Sequence, residues 1–195
     1  MKKIPVLLLV LLVILSGCAK EAVKEEETNQ EKKQYVIYAE ITVKDYGTIK
    51  VELYPDIAPK TVDNFIKNVN NGIYENNTFH RIIDGFMIQG GADRTGTAEK
   101  LEGEFSSNGF ENNLKHTTGV ISMARASDPD SATSQFFIMV GDASWLDGEY
   151  AAFGKVTDGL DIVLKIASDA NPIDNNGTIP VNEQPVIECI EILND

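Results

Sequence analysis

A single arginine stands within an apolar and aromatic segment, and its side chain is the group there best suited to chemistry. The segment Phe79–Gly91 reads FHRIIDGFMIQGG, and its polar members include Arg81, His80 and Gln89. Guanidinium groups are almost never fully buried without a partner. We therefore expect Arg81 to face a site rather than the interior of a sheet.

The other reactive residues exclude several classes of chemistry. The chain has only two histidines, His80 and His116, and one of its two cysteines, Cys18, belongs to the N-terminal motif described below. These are too few ligands for a structural Cys/His zinc site. The hydrolase motif G-x-S-x-G, the Walker A loop and the dinucleotide motif G-x-G-x-x-G are all absent from the sequence. The sequence therefore indicates neither a metal nor a cofactor, and leaves apolar and aromatic residues around one arginine.

The N-terminus has the features of an export signal. Two lysines precede the apolar run Ile4–Leu15, which is shorter than the ~17–25 residues that span a bilayer as a helix. Leu15-Ser16-Gly17-Cys18 resembles the lipobox of bacterial lipoproteins, in which the cysteine sulfur receives a diacylglyceryl group and the signal is cut just before it. We predict a lipoprotein signal peptide over residues 1–17 and lipidation at Cys18, which would give stable anchoring. An ordinary signal peptide with a chance cysteine is the alternative.

The composition of the segment after Cys18 predicts a tether. Residues 19–34 read AKEAVKEEETNQEKKQ, without an aromatic residue, and cannot bury enough apolar surface to fold. We predict a disordered tether over 18–34, with a short helix as the alternative, and a folded domain over 35–195.

The net charge of the chain limits the partners it can bind. The net charge of −13 becomes −15 when residues 1–17, with two lysines and no acid, are removed. A strongly acidic protein is a poor partner for nucleic acid. Separately, we expect the protein to be a monomer.

The domain reads as many short strands with two helices. A hairpin is predicted within residues 35–54, turning at 45–47, and helices are predicted around 58–72 and 160–167, where apolar residues recur at i, i+3, i+4 and i+7. Asp158 is the expected N-cap of the second helix, and Cys189 is expected to be a small core residue. Further strands are predicted at 79–83, 86–89, 119–124, 135–140, 152–156 and 186–193. This pattern favours a mainly β fold with a closed or nearly closed barrel.

Four ordered motifs then identify a family resemblance. They read FHRIIDGFMIQGG, GEFSSNGFENNLKHTTGVISMARA, SQFFIMV and WLDGEYAAFGKV, and they resemble the cyclophilin-type peptidyl-prolyl cis/trans isomerases. The resemblance covers roughly Val36 to Leu193. It implies a closed eight-stranded antiparallel β-barrel capped by two α-helices, and an enzyme that needs no cofactor or metal.

The resemblance also implies a site. It makes Arg81 the catalytic residue, with substrate contacts from His80, Phe86, Met87, Gln89, Ala124, Gln135, Phe137, Trp145 and Leu146; a purely structural role for His80 stays open. Two residues depart from the family pattern, because Arg125 replaces a frequent asparagine and Tyr150 replaces a pocket histidine. Both are expected to tune which residue is preferred before proline. Trp145 at the rim implies cyclosporin as a ligand, and we expect Tyr150 and Arg125 to weaken its binding.

The chemistry implied for Arg81 is stabilisation of a twisted peptide bond. Rotation about the bond before proline crosses a barrier of ~18–20 kcal/mol, and the twisted nitrogen regains a lone pair to which a guanidinium can donate. We predict an isomerase at the extracytoplasmic face of a bacterial cell membrane, acting on proline-containing, unfolded or partly folded exported proteins. The alternatives are a non-catalytic proline-peptide binding module or holdase, and a structural lipoprotein with a decayed site.

Overall fold

Eight β-strands and two α-helices form the part of the chain that the structure, a computed structural model, describes: residues 36–193. The predicted signal peptide, Cys18, the whole of the predicted tether, and residues 35, 194 and 195 lie outside this range. The strands are β1 Ile37–Val43, β2 Gly47–Leu53, β3 Asn77–Ile83, β4 Met87–Gly90, β5 Val120–Met123, β6 Phe136–Met139, β7 Ala152–Asp158 and β8 Val186–Leu193. The helices are α1 Pro59–Asn70 and α2 Leu160–Asp169. None of the helices within residues 36–193 combines the length and apolar character needed to cross a membrane.

The strands close into one antiparallel barrel in the order β1-β2-β7-β5-β6-β4-β3-β8. Side chains alternate between the two faces of a strand, and β1 accordingly buries Ala39, Ile41 and Val43 while its other residues remain partly exposed. The β2 partners of Ala39 and Ile41 are buried in the same way, and Phe65 of α1 joins the same core. The predicted mainly β fold, a closed eight-stranded antiparallel barrel with two helices, is confirmed.

Helix α1 begins at a proline and receives its N-terminal cap from a distant glutamate. Pro59 occupies the first helical position, where its missing N–H costs nothing. The Glu104 carboxylate accepts hydrogen bonds from the backbone N–H groups of Lys60 and Thr61 at 3.0 and 2.8 Å, and from the Thr61 hydroxyl at 2.7 Å. Glu104 is only 1% exposed. This buried carboxylate therefore satisfies helix donors that would otherwise have no partner.

Two local predictions about the fold were wrong. Gly159, not Asp158, is the N-cap of α2, and the Asp158 carboxylate instead accepts the Gly159 N–H at 2.9 Å. Gly159 has a φ of +76°, and a Cβ there would lie 2.6 Å from the carbonyl oxygen of Thr48, so only glycine fits this close approach to β2. Cys189, which we expected in the core, is only partly buried on β8.

Candidate active site

Arg81 lies on β3 directly opposite Gln89 on β4. The pairing of these strands shifts register between Phe79 and Arg81, and such bulges re-aim side chains. The guanidinium is held on two sides: its Nε donates to the backbone oxygen of Asn176 at 2.8 Å, and its Nη1 donates to Oε1 of Gln89 at 3.1 Å. Nη1 also lies 3.9 Å from the sulfur of Met87.

One edge of the guanidinium remains available to a ligand. Among the acceptors of residues 36–193, none is hydrogen-bonded to Nη2 of Arg81. The side chain of Gln89 is itself fixed, because its Nε2 donates to Oε1 of Gln135 at 3.0 Å. These hydrogen bonds from Gln135 through Gln89 thus direct the Gln89 amide oxygen at Arg81, and they fix the plane of the guanidinium. Since arginine stays charged at any physiological pH, the site presents a permanent and oriented donor.

An open cavity of about 430 Å³ lies beside this guanidinium. Its walls come from β3, β4 and β6 and from the segments that follow β5 and β6. The lining residues are Arg81, Phe86, Met87, Gln89, Ala124, Arg125, Phe137, Leu146 and Tyr150. Most are apolar or aromatic and few are polar, which is the usual composition of a pocket that binds a small organic group.

The aromatic wall of the cavity is supported from behind. The Phe137 ring meets the ring of Tyr150 edge-on at 5.8 Å and stacks on His116 at 6.0 Å. His116 is buried, with Nδ1 3.1 Å from a carboxylate oxygen of Asp147 and Nε2 3.0 Å from the hydroxyl of Ser122. Burial lowers the pKa of His116, although Asp147 opposes that change. Phe137 therefore has little freedom to move away from a ligand.

Arg125, which we expected to weaken cyclosporin binding, has its charge compensated. Its guanidinium lies 4.7 Å from the centre of the Tyr150 ring and 5.1 Å from that of Phe105. Its Nε donates to the backbone oxygen of Glu149 at 3.0 Å, and its Nη2 lies 3.6 Å from the Glu149 carboxylate. The side chain is only 13% exposed. Arg125 thus forms part of the cavity wall. Its guanidinium lies against two aromatic rings, and its positive charge is paired with the Glu149 carboxylate.

Three of the predicted site residues do not line this cavity. Gln135 lines a neighbouring cavity of about 560 Å³, together with residues 131 and 133. Trp145 is 67% exposed and packs near Phe86, with ring centroids 5.8 Å apart. His80 is partly buried, its pKa is lowered by burial, and its buried Nδ1 has no hydrogen-bond partner among the described residues. The roles assigned to all these residues remain predictions.

Sequence reasoning missed the contacts that come from distant segments. Asn176 was not singled out, although its carbonyl anchors Arg81, and neither were His116, Ser122 and Asp147 behind Phe137. A turn signature, Asp174-Asn175-Asn176-Gly177, was visible in the sequence. It gave no indication of a partner, because 95 positions separate Asn176 from Arg81.

The sequence of this chain is similar to a family profile and to named relatives. Residues 38–192 match the family profile described as cyclophilin type peptidyl-prolyl cis-trans isomerase/CLD. The chain is 47% identical over 127 residues to the peptidyl-prolyl cis-trans isomerase of Acinetobacter baylyi, an alignment that covers 63% of this chain and 68% of the relative. It is 39% identical over 156 residues to peptidyl-prolyl cis-trans isomerase B of Escherichia coli K12, covering 76% of this chain and 95% of the relative.

Solved structures share the fold. The crystal structure of a cyclophilin-type peptidyl-prolyl cis-trans isomerase from Cryptosporidium parvum superposes with a TM-score of 0.69 at 30% identity, covering 83% of this chain and 99% of that one. A second structure of that protein, determined in the presence of the dipeptide Ala-Pro, superposes with a TM-score of 0.68 at 30% identity and covers 81% of this chain and 99% of that one.

Proposed function

This chain belongs to the cyclophilin-type peptidyl-prolyl cis-trans isomerase family and is an enzyme of that kind, and from this premise we propose that it isomerises prolyl bonds of exported proteins at the outer face of a bacterial membrane. Arg81 is the catalytic residue in this proposal. The observation that carries it is the free Nη2 edge of a charged, doubly anchored guanidinium beside an apolar cavity. The Ala-Pro dipeptide used with the Cryptosporidium parvum relative supports a proline-containing peptide as the ligand.

The reaction requires only that the twisted peptide bond be bound better than either planar form. Resonance across the bond before proline must be broken, which costs ~18–20 kcal/mol. At a barrier of ~20 kcal/mol the spontaneous rate is on the order of 0.01 per second. No covalent bond is made or broken, so acceleration comes entirely from differential binding of the transition state.

Arg81 supplies the differential interaction. A planar amide nitrogen accepts a hydrogen bond poorly, whereas the twisted nitrogen carries a localised lone pair. The proline ring would enter the cavity against Phe137 and Met87, and the free edge of Arg81 would donate to the nitrogen as the bond twists. The apolar walls exclude water and so strengthen this charge-assisted contact. The Gln89 and Asn176 contacts hold the guanidinium ready, so little reorganisation accompanies the reaction.

The location rests on the N-terminal sequence. Leu15-Ser16-Gly17-Cys18 supports removal of residues 1–17 and lipidation of Cys18, and the polar segment 18–34 would tether the domain 35–195 to the membrane. A domain held at the extracytoplasmic face meets chains that emerge unfolded from the export machinery. The proposed substrates are therefore proline-containing segments of unfolded or partly folded exported proteins.

An Arg81→Ala variant tests the catalytic assignment. We expect kcat/KM for a proline tetrapeptide to fall at least ~100-fold, on the order of 3 kcal/mol, while peptide affinity falls much less. Arg94→Ala is the matched control, because Arg94 also donates to backbone and hydroxyl oxygens but lines neither cavity, and it should retain wild-type activity. Near wild-type turnover by Arg81→Ala would exclude Arg81 as the catalytic residue. Binding without acceleration by the wild type would favour the binding-module or holdase alternative.

A Cys18→Ala variant tests the location. In bacteria that express the full chain, we expect this variant to lose acyl labelling and to accumulate as an uncleaved precursor or in the soluble fraction. Cys189→Ala removes the only other cysteine and should be labelled and processed like the wild type. A processed wild-type N-terminal peptide without acyl mass would refute lipid anchoring and leave the isomerase assignment untouched.

A further inference from the structure

A loop that precedes β8 is docked on β3 beside the catalytic arginine. This 173–179 loop is joined to β3 by two backbone hydrogen bonds that flank Arg81: Ile82 N–H donates to Gly177 O at 2.8 Å, and Ile179 N–H donates to His80 O at 3.0 Å. Between them, the carbonyl of Asn176 receives the Nε–H of Arg81 at 2.8 Å. The loop therefore supplies one of the two anchors of the guanidinium.

One carboxylate closes the 173–179 loop together with backbone hydrogen bonds, among them Ile173 N–H to Thr178 O at 2.9 Å. Asp174 accepts the backbone N–H of Thr178 at 3.0 Å and the Thr178 hydroxyl at 2.8 Å, and its carbonyl accepts the N–H of Gly177 at 3.1 Å. These donors lower the pKa of Asp174 below its usual value. Asp174 itself is solvent-exposed and lines neither cavity, so it has no direct route to a substrate.

The 173–179 loop packs so closely against β3 that its backbone has little room to shift. Gly177 is buried with a φ of +84°, and a Cβ there would lie 2.5 Å from the carbonyl oxygen of Ile82 and from a side-chain carbon of Ile83. The loop backbone thus lies directly against β3. Because no side chain at position 177 separates the two backbones, a small change in the turn also moves the Asn176 carbonyl relative to Arg81.

We infer that Asp174 is a positioning residue for catalysis: by closing the turn from 174 to 178, it holds the Asn176 carbonyl against Nε of Arg81. With Nε fixed, the guanidinium plane is set and Nη2 is directed at the substrate. If the turn opens, Arg81 keeps only its contacts with Gln89 and Met87 and can rotate about its side-chain bonds. Misplacement of a reacting group by about 1 Å can cost on the order of 100-fold in rate. The inference rests on the proposed catalytic role of Arg81.

The test compares Asp174→Ala with two matched variants, measuring kcat and KM separately for a proline tetrapeptide. We expect Asp174→Ala to lower kcat about tenfold, with KM changed less than about twofold, because the proline cavity is built by other segments. Asp174→Asn, which retains an oxygen for Thr178 N–H, should recover most of the rate. Asp93→Ala is the control: its carboxylate accepts the N–H and hydroxyl of Thr95 in a similar turn, but within residues 36–193 that turn makes no hydrogen bond with Arg81.

Two further measurements separate positioning from general loss of structure. In the Arg81→Ala background, Asp174→Ala should have no further effect on kcat, since the two residues act as one unit. The Nε–H resonance of Arg81 should exchange faster with solvent in Asp174→Ala than in the wild type. If Asp174→Ala does not fold, Thr178→Val removes only the hydroxyl donor and should lower kcat in the same way.

The outcomes are distinguishable from failure of the catalytic assignment. An Arg81→Ala variant with wild-type turnover would remove the premise. A large loss in Arg81→Ala together with unchanged kcat in Asp174→Ala would overturn the positioning role alone. The role would also be overturned by an equal loss in Asp93→Ala, or by an unaltered Nε–H exchange rate.

Discussion

Replacing Glu104 by glutamine tests how the N-terminus of α1 is stabilised. The two carboxylate oxygens serve three donors: Oε1 accepts Lys60 N–H, and Oε2 accepts both the N–H and the hydroxyl of Thr61. Glutamine keeps one oxygen, and the least costly orientation leaves that oxygen with Thr61. The amide NH2 then faces Lys60 N–H, so one donor meets another at the helix end.

The expected loss follows from these contacts. A hydrogen bond to a charged acceptor contributes about 1.5–3 kcal/mol, and a negative charge at a helix N-terminus contributes about 0.3–1 kcal/mol more. We expect Glu104→Gln to lower the free energy of unfolding by about 2–4 kcal/mol. At about 2–4 °C per kcal/mol for a domain of this size, the thermal midpoint should fall by roughly 4–16 °C. Isomerase activity below the transition should be retained, because Glu104 lines neither cavity at the site.

Urea denaturation followed by circular dichroism measures this loss, with Glu102→Gln as the control. Glu102 lies two positions away and pairs with the ammonium of Lys60, but its side chain is 61% exposed. Exposed ion pairs contribute about 0.2–1 kcal/mol, so the control should change stability little. If the two variants were equally stable, the buried carboxylate would not be acting as the cap of α1.

Two further predictions concern pH and cyclosporin. Burial lowers the pKa of both His116 and His80 below 6.5, so the unfolded chain binds protons more tightly. Their contribution to the free energy of unfolding is complete above about pH 6.5, and it is lost as the pH falls through their pKa values in the folded protein. The urea concentration at the midpoint of unfolding should therefore be lower at pH 5.5 than at pH 7.5. This decrease should be smaller in the His116→Gln variant. Since Arg125 is neutralised, Tyr150 should be the main obstacle to cyclosporin, and Tyr150→His should tighten Kd about fivefold or more, on the order of 1 kcal/mol. The fluorescence of Trp145, the single tryptophan, reports binding, and an unchanged Kd would show that Tyr150 does not crowd the ligand.

The sequence predicted those features that depend on local patterns. Apolar spacing placed α1 and α2, alternation and short apolar runs placed the strands, and motif order predicted the residues that line the main cavity. These signals work because a helix or strand buries one face, which requires a fixed period in the chain.

Contacts between distant segments could not be predicted in this way. Glu104 caps a helix from 43 positions away, and the Asn176 carbonyl reaches Arg81 across 95. The start of α2 at Gly159 depends on its closeness to a carbonyl of β2, which exists only after the barrel has closed. The compensation of Arg125 by Glu149 similarly needs two loops to meet. In each case the decisive partner is chosen by three-dimensional proximity, about which local periodicity carries no information.

Barrel closure also limits how an extended peptide can bind to the described domain. In the described domain each strand has a neighbour on both sides, and where β8 pairs with β3 over only two residue pairs, the 173–179 loop takes up the hydrogen-bonding groups of β3 that β8 leaves. An extended peptide therefore finds no open row of N–H and C=O groups on β3 beside Arg81 to which it could add as an extra strand. The contact between β3 and the 173–179 loop, which anchors Arg81, thus also closes an edge at which another chain could add and aggregate.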